Sequence, residues 1–161
     1  MATHRAERHA HGMFSAVASI SIERSPEDVF DYLVEPANWP RWVCDVKSVE
    51  ARGSLRQGDA FTEVTVLGGR EKRSRGEVLS AEPGKLLVLR VVEVISGPGL
   101  LPTRRFDLAR DEQGTRLTWT SNVEVRGAMH LFAPFLPSLF RKKKGQYLAA
   151  LRRELVAGGA S

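Results

Sequence analysis

Residues Ser25–Trp42 read SPEDVFDYLVEPANWPRW, and this stretch decides the fold. The Ser25 hydroxyl suits a helix N-cap, and Pro26 suits the first helical position because it has no amide hydrogen to lose. Asp28, three residues after the cap, favours the positive end of the helix dipole. Val29, Phe30 and Leu33 then form an apolar stripe, and the helix must stop near Pro36. A second helical turn follows, with Trp39 and Trp42 around Pro40. A strand precedes this unit and a run of strands follows it. Strand, two small helices, curved sheet and long final helix describe a container with a lid, so a bound small molecule is the first function to consider.

Outward from that unit, Phe14, Ala16, Ala18, Ile20 and Ile22 alternate with other residues, which predicts a strand with one buried face. Further strands are predicted over Val43–Arg52, Asp59–Leu67, Arg70–Ala81, Lys85–Ile95, Thr103–Arg110 and Thr115–Val125. Gly68-Gly69 and Pro83-Gly84 mark turns. The segment SGPGLLP, Ser96–Pro102, reads as a loop, either a mobile gate or an apolar tip, or one that folds Leu100 and Leu101 back onto the core. Strands joined by short turns imply an antiparallel meander, and helices inserted after the first strand and appended after the last make the class α+β. The final helix, Ala128–Val156, is interrupted by Pro134 and Pro137. Beyond them Phe140, Tyr147, Leu148, Leu151 and Leu155 keep helical spacing, with Arg141–Lys143 and Arg152-Arg153 off that stripe.

The bulk numbers fit one globular domain: 161 residues, 42% hydrophobic, formal charge +5. The expected division is a disordered lead-in over 1–12, a single domain over 13–157 and a tail over 158–161. The lead-in, MATHRAERHAHG, lacks the apolar middle of a secretory signal, and His4, His9 and His11 within it make a poor metal site. The single cysteine, Cys44, excludes an internal disulfide, suits a cytoplasmic location and reads as a buried, inert thiol. Arg141, Lys142, Lys143 and Lys144 form a cationic run, read as a solvated helix face or as a site of attraction to anionic lipid. Nucleic acid is not an expected partner, because no recognition motif or basic face with interleaved aromatics is visible.

The pieces resemble the START/Bet v 1-like (SRPBCC) superfamily, in its polyketide cyclase/dehydrase and lipid-transport branch. The resemblance rests on the first strand running into SPEDVFDYLVEPANWPRW, then Gly58 opening a strand, EVLSAEPGKLLVLR (Glu77–Arg90), GTRLTW (Gly114–Trp119) and the closing LAALRREL. It implies a helix-grip fold: a seven-stranded curved antiparallel sheet wrapped around the long C-terminal helix, with a hydrophobic cavity between them. It does not imply one chemistry, since a fold hosts many functions.

Strand alternation selects the expected lining. Leu117, Trp119, Ser121 and Val123 share a face, as do Arg104, Phe106 and Leu108. On the fifth strand Leu86, Val88, Arg90 and Val92 share one face, while Leu87, Leu89 and Val91 make an equally apolar opposite face. The expected ligand-binding residues are Trp39, Trp42, Phe61, Val88, Arg90, Arg104, Phe106, Trp119, Phe132 and Phe135. An inward arginine is costly unless paired, so Arg90 and Arg104 either hold an anionic ligand group or pair with a carboxylate such as Glu63 or Glu93, or point to solvent. No catalytic triad, metal-ligand spacing or phosphate loop appears, so no catalytic residue, metal or cofactor is assigned. Asp31, Tyr32 and His130 are acid/base candidates if they reach the cavity. The expected function is binding or carriage of a small hydrophobic molecule of lipid, polyketide or isoprenoid type. The alternatives are a polyketide cyclase, aromatase or dehydratase, and a regulatory or membrane-surface protein. The expected partners are that ligand and peripheral membrane contact, with the chain a monomer or homodimer.

Overall fold

Ser25 caps the first helix as its position demands. In the structure, a computed structural model that describes residues 12–158, the Ser25 Oγ accepts a hydrogen bond from the Asp28 amide at 3.1 Å. Helix α1, Pro26–Leu33, buries Pro26, Val29, Phe30 and Leu33. A 3-10 turn over Pro36–Asn38 leads directly into α2, Trp39–Trp42. The strands are β1 (Met13–Ile22), β2 (Val46–Glu50), β3 (Ala60–Leu67), β4 (Arg70–Glu82), β5 (Leu86–Ser96), β6 (Leu100–Asp111) and β7 (Gly114–Val125). A 3-10 segment, Gly127–Phe132, precedes the long helix α3, Leu136–Gly158. Of the expected lead-in and tail, all but Gly12 and Gly158 lie outside the described residues, and so do His4, His9 and His11.

The seven strands form one sheet in the order β1-β7-β6-β5-β4-β3-β2, antiparallel throughout. Between β1 and β2 the chain crosses to the opposite edge, and it uses α1 and α2 to do so. Gly68 and Gly69 turn β3 into β4 with φ of 56° and 78°, a region that disfavours any side chain. Tyr147, Leu148, Leu151 and Leu155 of α3 pack with Trp39, Trp42, Phe106 and Trp119 in the main core. A smaller cluster of Leu100, Val123, Val125 and Leu136 forms near the start of α3. This is the helix-grip arrangement.

Two expectations need correction. On β5 the buried face is Leu87, Leu89 and Val91, while Arg90 is exposed and Val88 is half-buried on its face. The cause is pairing: Leu87 stands opposite Phe106, and direct partners share a face. Three register shifts in the β4–β5 ladder further disturb simple alternation. The loop before β6 is also shorter than expected. Leu100 and Leu101 are already paired with Val125 and Glu124 of β7 and are buried.

Candidate ligand-binding cavity

Between the concave face of the sheet and α3 lies a cavity of about 100 Å³, partly open to solvent. Two larger depressions, beside Ile20 and Arg152 and beside Glu50 and Arg75, are open surface grooves. Helix α2 supplies one wall of the cavity. Trp39 lines it and donates its Nε1–H to the Leu33 carbonyl at 2.9 Å, which fixes the indole. Trp119 of β7 also lines it. Behind them stand Trp42 and Phe106, with ring centroids 4.9 Å apart for Trp39–Trp42, 5.5 Å for Trp42–Trp119 and 5.0 Å for Phe106–Trp119. This aromatic stack fills one end of the space under the sheet. Val43, Val46, Leu67, Leu100, Pro102, Leu139 and Phe140 make the rest of the apolar wall.

The remaining wall is charged. Arg104 gives two parallel hydrogen bonds, both 2.8 Å, to the buried Glu63 carboxylate. Burial alone would raise the Glu63 pKa, but the Arg104 charge and hydrogen bonds, helped by Lys72, hold it below the ordinary carboxylate value. Lys72 of β4 is 2% exposed and Lys144 of α3 is 3% exposed. Burial brings Lys72 down to about 8, against the raising effect of Glu63, and brings Lys144 down to about 7, with Arg104 adding repulsion. Lys144 Nζ donates to Ser121 Oγ at 2.6 Å and sits 4.2 Å from the centroid of the Trp119 ring. At the rim Asp45 accepts from Lys143 at 2.8 Å and from the Tyr147 hydroxyl. Those hydrogen bonds and the Lys143 charge lower the Asp45 pKa despite burial, while burial and Asp45 raise that of Tyr147.

Of the ten expected lining residues, the cavity wall contains Trp39, Arg104 and Trp119. Trp42, Phe61 and Phe106 are buried in the core behind it, and the Phe61 ring lies over Gly76. Val88 sits on the far face of the sheet, as does Arg90, which pairs with Glu77. Phe132 and Phe135 are 55% and 72% exposed and line no part of the cavity, in the segment where Pro134 and Pro137 interrupt the helix. Tyr32 is bonded to Glu154 at 3.4 Å outside the cavity lining, and Asp31 and His130 are exposed. Cys44, expected to be buried, is exposed beside Asp45.

Sequence reasoning places none of Lys72, Lys144 or Tyr147 in the cavity, and reads Lys144 only as part of a surface cationic run. Lys144 does carry a signal: it lies four residues after Phe140 and three, four and seven before Tyr147, Leu148 and Leu151, so it belongs to the apolar stripe. The cationic run therefore divides, with Arg141 and Lys142 in solvent, Lys143 at the rim and Lys144 inside.

Residues 13–156 match the sequence profile of the family described as polyketide cyclase/dehydrase and lipid transport. The chain belongs to that family. As a member of the polyketide cyclase/dehydrase and lipid-transport family, it sits within the START/Bet v 1-like superfamily. Uncharacterised proteins of Mycobacterium bovis and Mycobacterium tuberculosis are 25% identical over 139 residues, which cover 84% of this chain and 80% of theirs. A crystal structure from Thermus thermophilus superposes with a TM-score of 0.77 at 16% identity, covering 92% of this chain and all of that one. The di-domain ARO/CYC StfQ from the steffimycin biosynthetic pathway gives 0.75 at 16% identity, covering 98% of this family member and 56% of the di-domain chain. Ara h 8.0201 gives 0.66 at 11% identity, covering 91% and 99%. At these identities the structural likeness speaks for the fold. Among the described residues no helix is long and apolar enough to cross a membrane.

Proposed function

We propose that the protein binds a small hydrophobic molecule in the cavity between sheet and α3. The observation that carries this reading is an unfilled, largely apolar space in a member of a family whose description joins polyketide chemistry with lipid transport. At about 100 Å³ the cavity suits one ring or a short chain. Ligand sites for larger molecules run from about 300 to 1,000 Å³. A longer ligand would leave its tail at the mouth, beside Leu139 and Phe140. The test is native mass spectrometry with thermal shift against single-ring acids, alcohols, short lipids and isoprenoids. A retained one-to-one complex with a raised melting temperature is expected, and the absence of both across the set would overturn the reading.

Lys144 favours a second reading, a cyclase or dehydratase. A buried amine with a pKa of about 7 is matched to proton exchange with an enolisable carbonyl compound near neutral pH. Turnover of a β-keto thioester surrogate that vanishes in Lys144→Met would support it, and turnover unaffected by that change would remove it. Peripheral membrane contact is supported by Leu131, Phe132, Phe135 and Leu139, all exposed, next to the exposed Arg141 and Lys142. Salt-sensitive co-sedimentation with anionic vesicles, weakened in a Leu131→Ser/Phe135→Ser variant, is the expected outcome. Wild-type chain left wholly in the supernatant would dismiss it.

A further inference from the structure

We infer that the cavity is an anion site: the molecule it takes carries a carboxylate, held by the ammonium groups of Lys72 and Lys144. This inference rests on the reading that the cavity binds a small hydrophobic molecule.

The charges that face the cavity do not balance internally. Arg104 is matched by Glu63, and Lys143 by Asp45, which also accepts from Tyr147. Lys72 and Lys144 come from different walls, β4 and α3, and neither has a carboxylate within ion-pair distance among the described residues. Among the described residues the groups recorded against the Lys144 nitrogen are the Ser121 hydroxyl and the rings of Trp119 and Phe140 at 4.2 and 5.8 Å, and the charge that acts on it is the like charge of Arg104. Lys72 shares the Glu63 charge with Arg104 and Lys144 has no counter-charge among those residues, while Arg104 repels both, so each buried ammonium is costly. A carboxylate placed there offsets that cost.

The polar groups left over also suit an acceptor. Trp119 Nε1 and Thr65 Oγ1 are buried without hydrogen-bond partners, and both residues line this cavity. A carboxylate offers about four acceptor positions on two oxygens, so it can take charged and neutral donors together. A monoanion fits better than a dianion. With Lys144 at about 7 and Lys72 at about 8, the pair carries between one and two charges near neutral pH, while the other charged groups of the wall are paired with each other. Binding an anion raises both pKa values again, so the complex takes up protons.

The test uses the full chain and paired probes: benzoate against benzamide, phenylacetate against 2-phenylethanol, and octanoate against octanol. Titration calorimetry at pH 7.5, in two buffers of different ionisation heat, should show each acid binding at least about tenfold tighter than its neutral counterpart, with net proton uptake. In Lys72→Met and Lys144→Met the ratio of acid to neutral affinity should fall towards one, whatever the change in absolute affinity. Equal affinity of acid and neutral probe in the wild type overturns the anion site and leaves the hydrophobic cavity standing. So does an acid preference that survives in the double variant. If no probe of either kind binds, both readings fall. The wild-type comparison needs no variant, so a misfolded substitution cannot obscure the result.

Discussion

Lys144 shows how one side chain can carry a chemical property that its neighbours in sequence do not share. Its folded pKa is about 7 against an ordinary value of 10.5. Between those values the unfolded chain holds the extra proton, so stability rises with pH from about 7 towards 10.5. Lys72 adds a contribution of the same sign from about 8 upward. Urea midpoints should therefore increase from pH 7 to pH 9.5. Lys144→Met should be more stable than wild type at pH 7 and show a shallower rise. Identical flat profiles for the two chains would contradict a desolvated ammonium. Above about pH 10 Tyr147, whose pKa is raised, acts in the opposite sense, so the measurement stops short of that. Arg104 makes a complementary case. Arg104→Met leaves the buried Glu63 carboxylate with only the Lys72 charge to offset it and should cost about 3–5 kcal/mol. Glu63→Leu combined with Arg104→Met should recover most of that loss in chemical denaturation, and a double variant as unstable as the single one would refute the account. Glu63 is legible in the sequence as one of two candidate partners for an inward arginine, beside Glu93, because such an arginine demands a carboxylate; the pairing with Arg104 is set by the fold. Lys144 is not, because four adjacent cations look like one face. At 100° per residue a helix spreads four consecutive side chains nearly all the way round its axis.

At the level of elements, local chemistry is the most legible. The Ser25 cap, the stop at Pro36 and the Gly68-Gly69 turn all follow from single-residue conformational rules. The face of β5 is not legible, since both of its faces are apolar and its alignment is set by β4 and β6, strands whose pairing no local pattern reports. One consequence of pairing is testable at Gly76, which stands opposite Phe61. A β-carbon there would come within 2.2 Å of the Phe61 ring. Gly76→Ala should destabilise the protein by about 1–3 kcal/mol through overpacking, and Phe61→Leu in that background should relieve part of the loss. If Gly76→Ala leaves the denaturation midpoint unchanged, the ring is free to move and this part of the core is loosely packed.

For the molecule as a whole, the order of elements is enough to anticipate the architecture, because a β1–α1–α2 opening followed by a meander and a long helix leaves few ways to bury every apolar face. The cavity itself is less legible. Its size depends on how far Trp39, Trp42, Phe106 and Trp119 extend into the shared interior, which no spacing rule reports. A ligand that occupies it touches the sheet, α2 and α3 together, so it should stabilise all three as a unit. At a free concentration of a hundred times Kd the gain is about 2.7 kcal/mol. Hydrogen exchange should then slow in β4, β7 and α3 alike, and protection confined to α3 would show that the ligand sits outside.

The Glu63–Arg104 pair joins β3 to β6, which are separated in the sheet by β4 and β5. On a flat sheet those two strands would lie roughly 14 Å apart. The bridge thus acts as a tie-rod drawn across the inside of an arch. The length of that tie helps to set the span of the arch, and with it the room beneath. Shorter or longer partners at these two positions would retune the chamber for different guests while its apolar walls stayed the same.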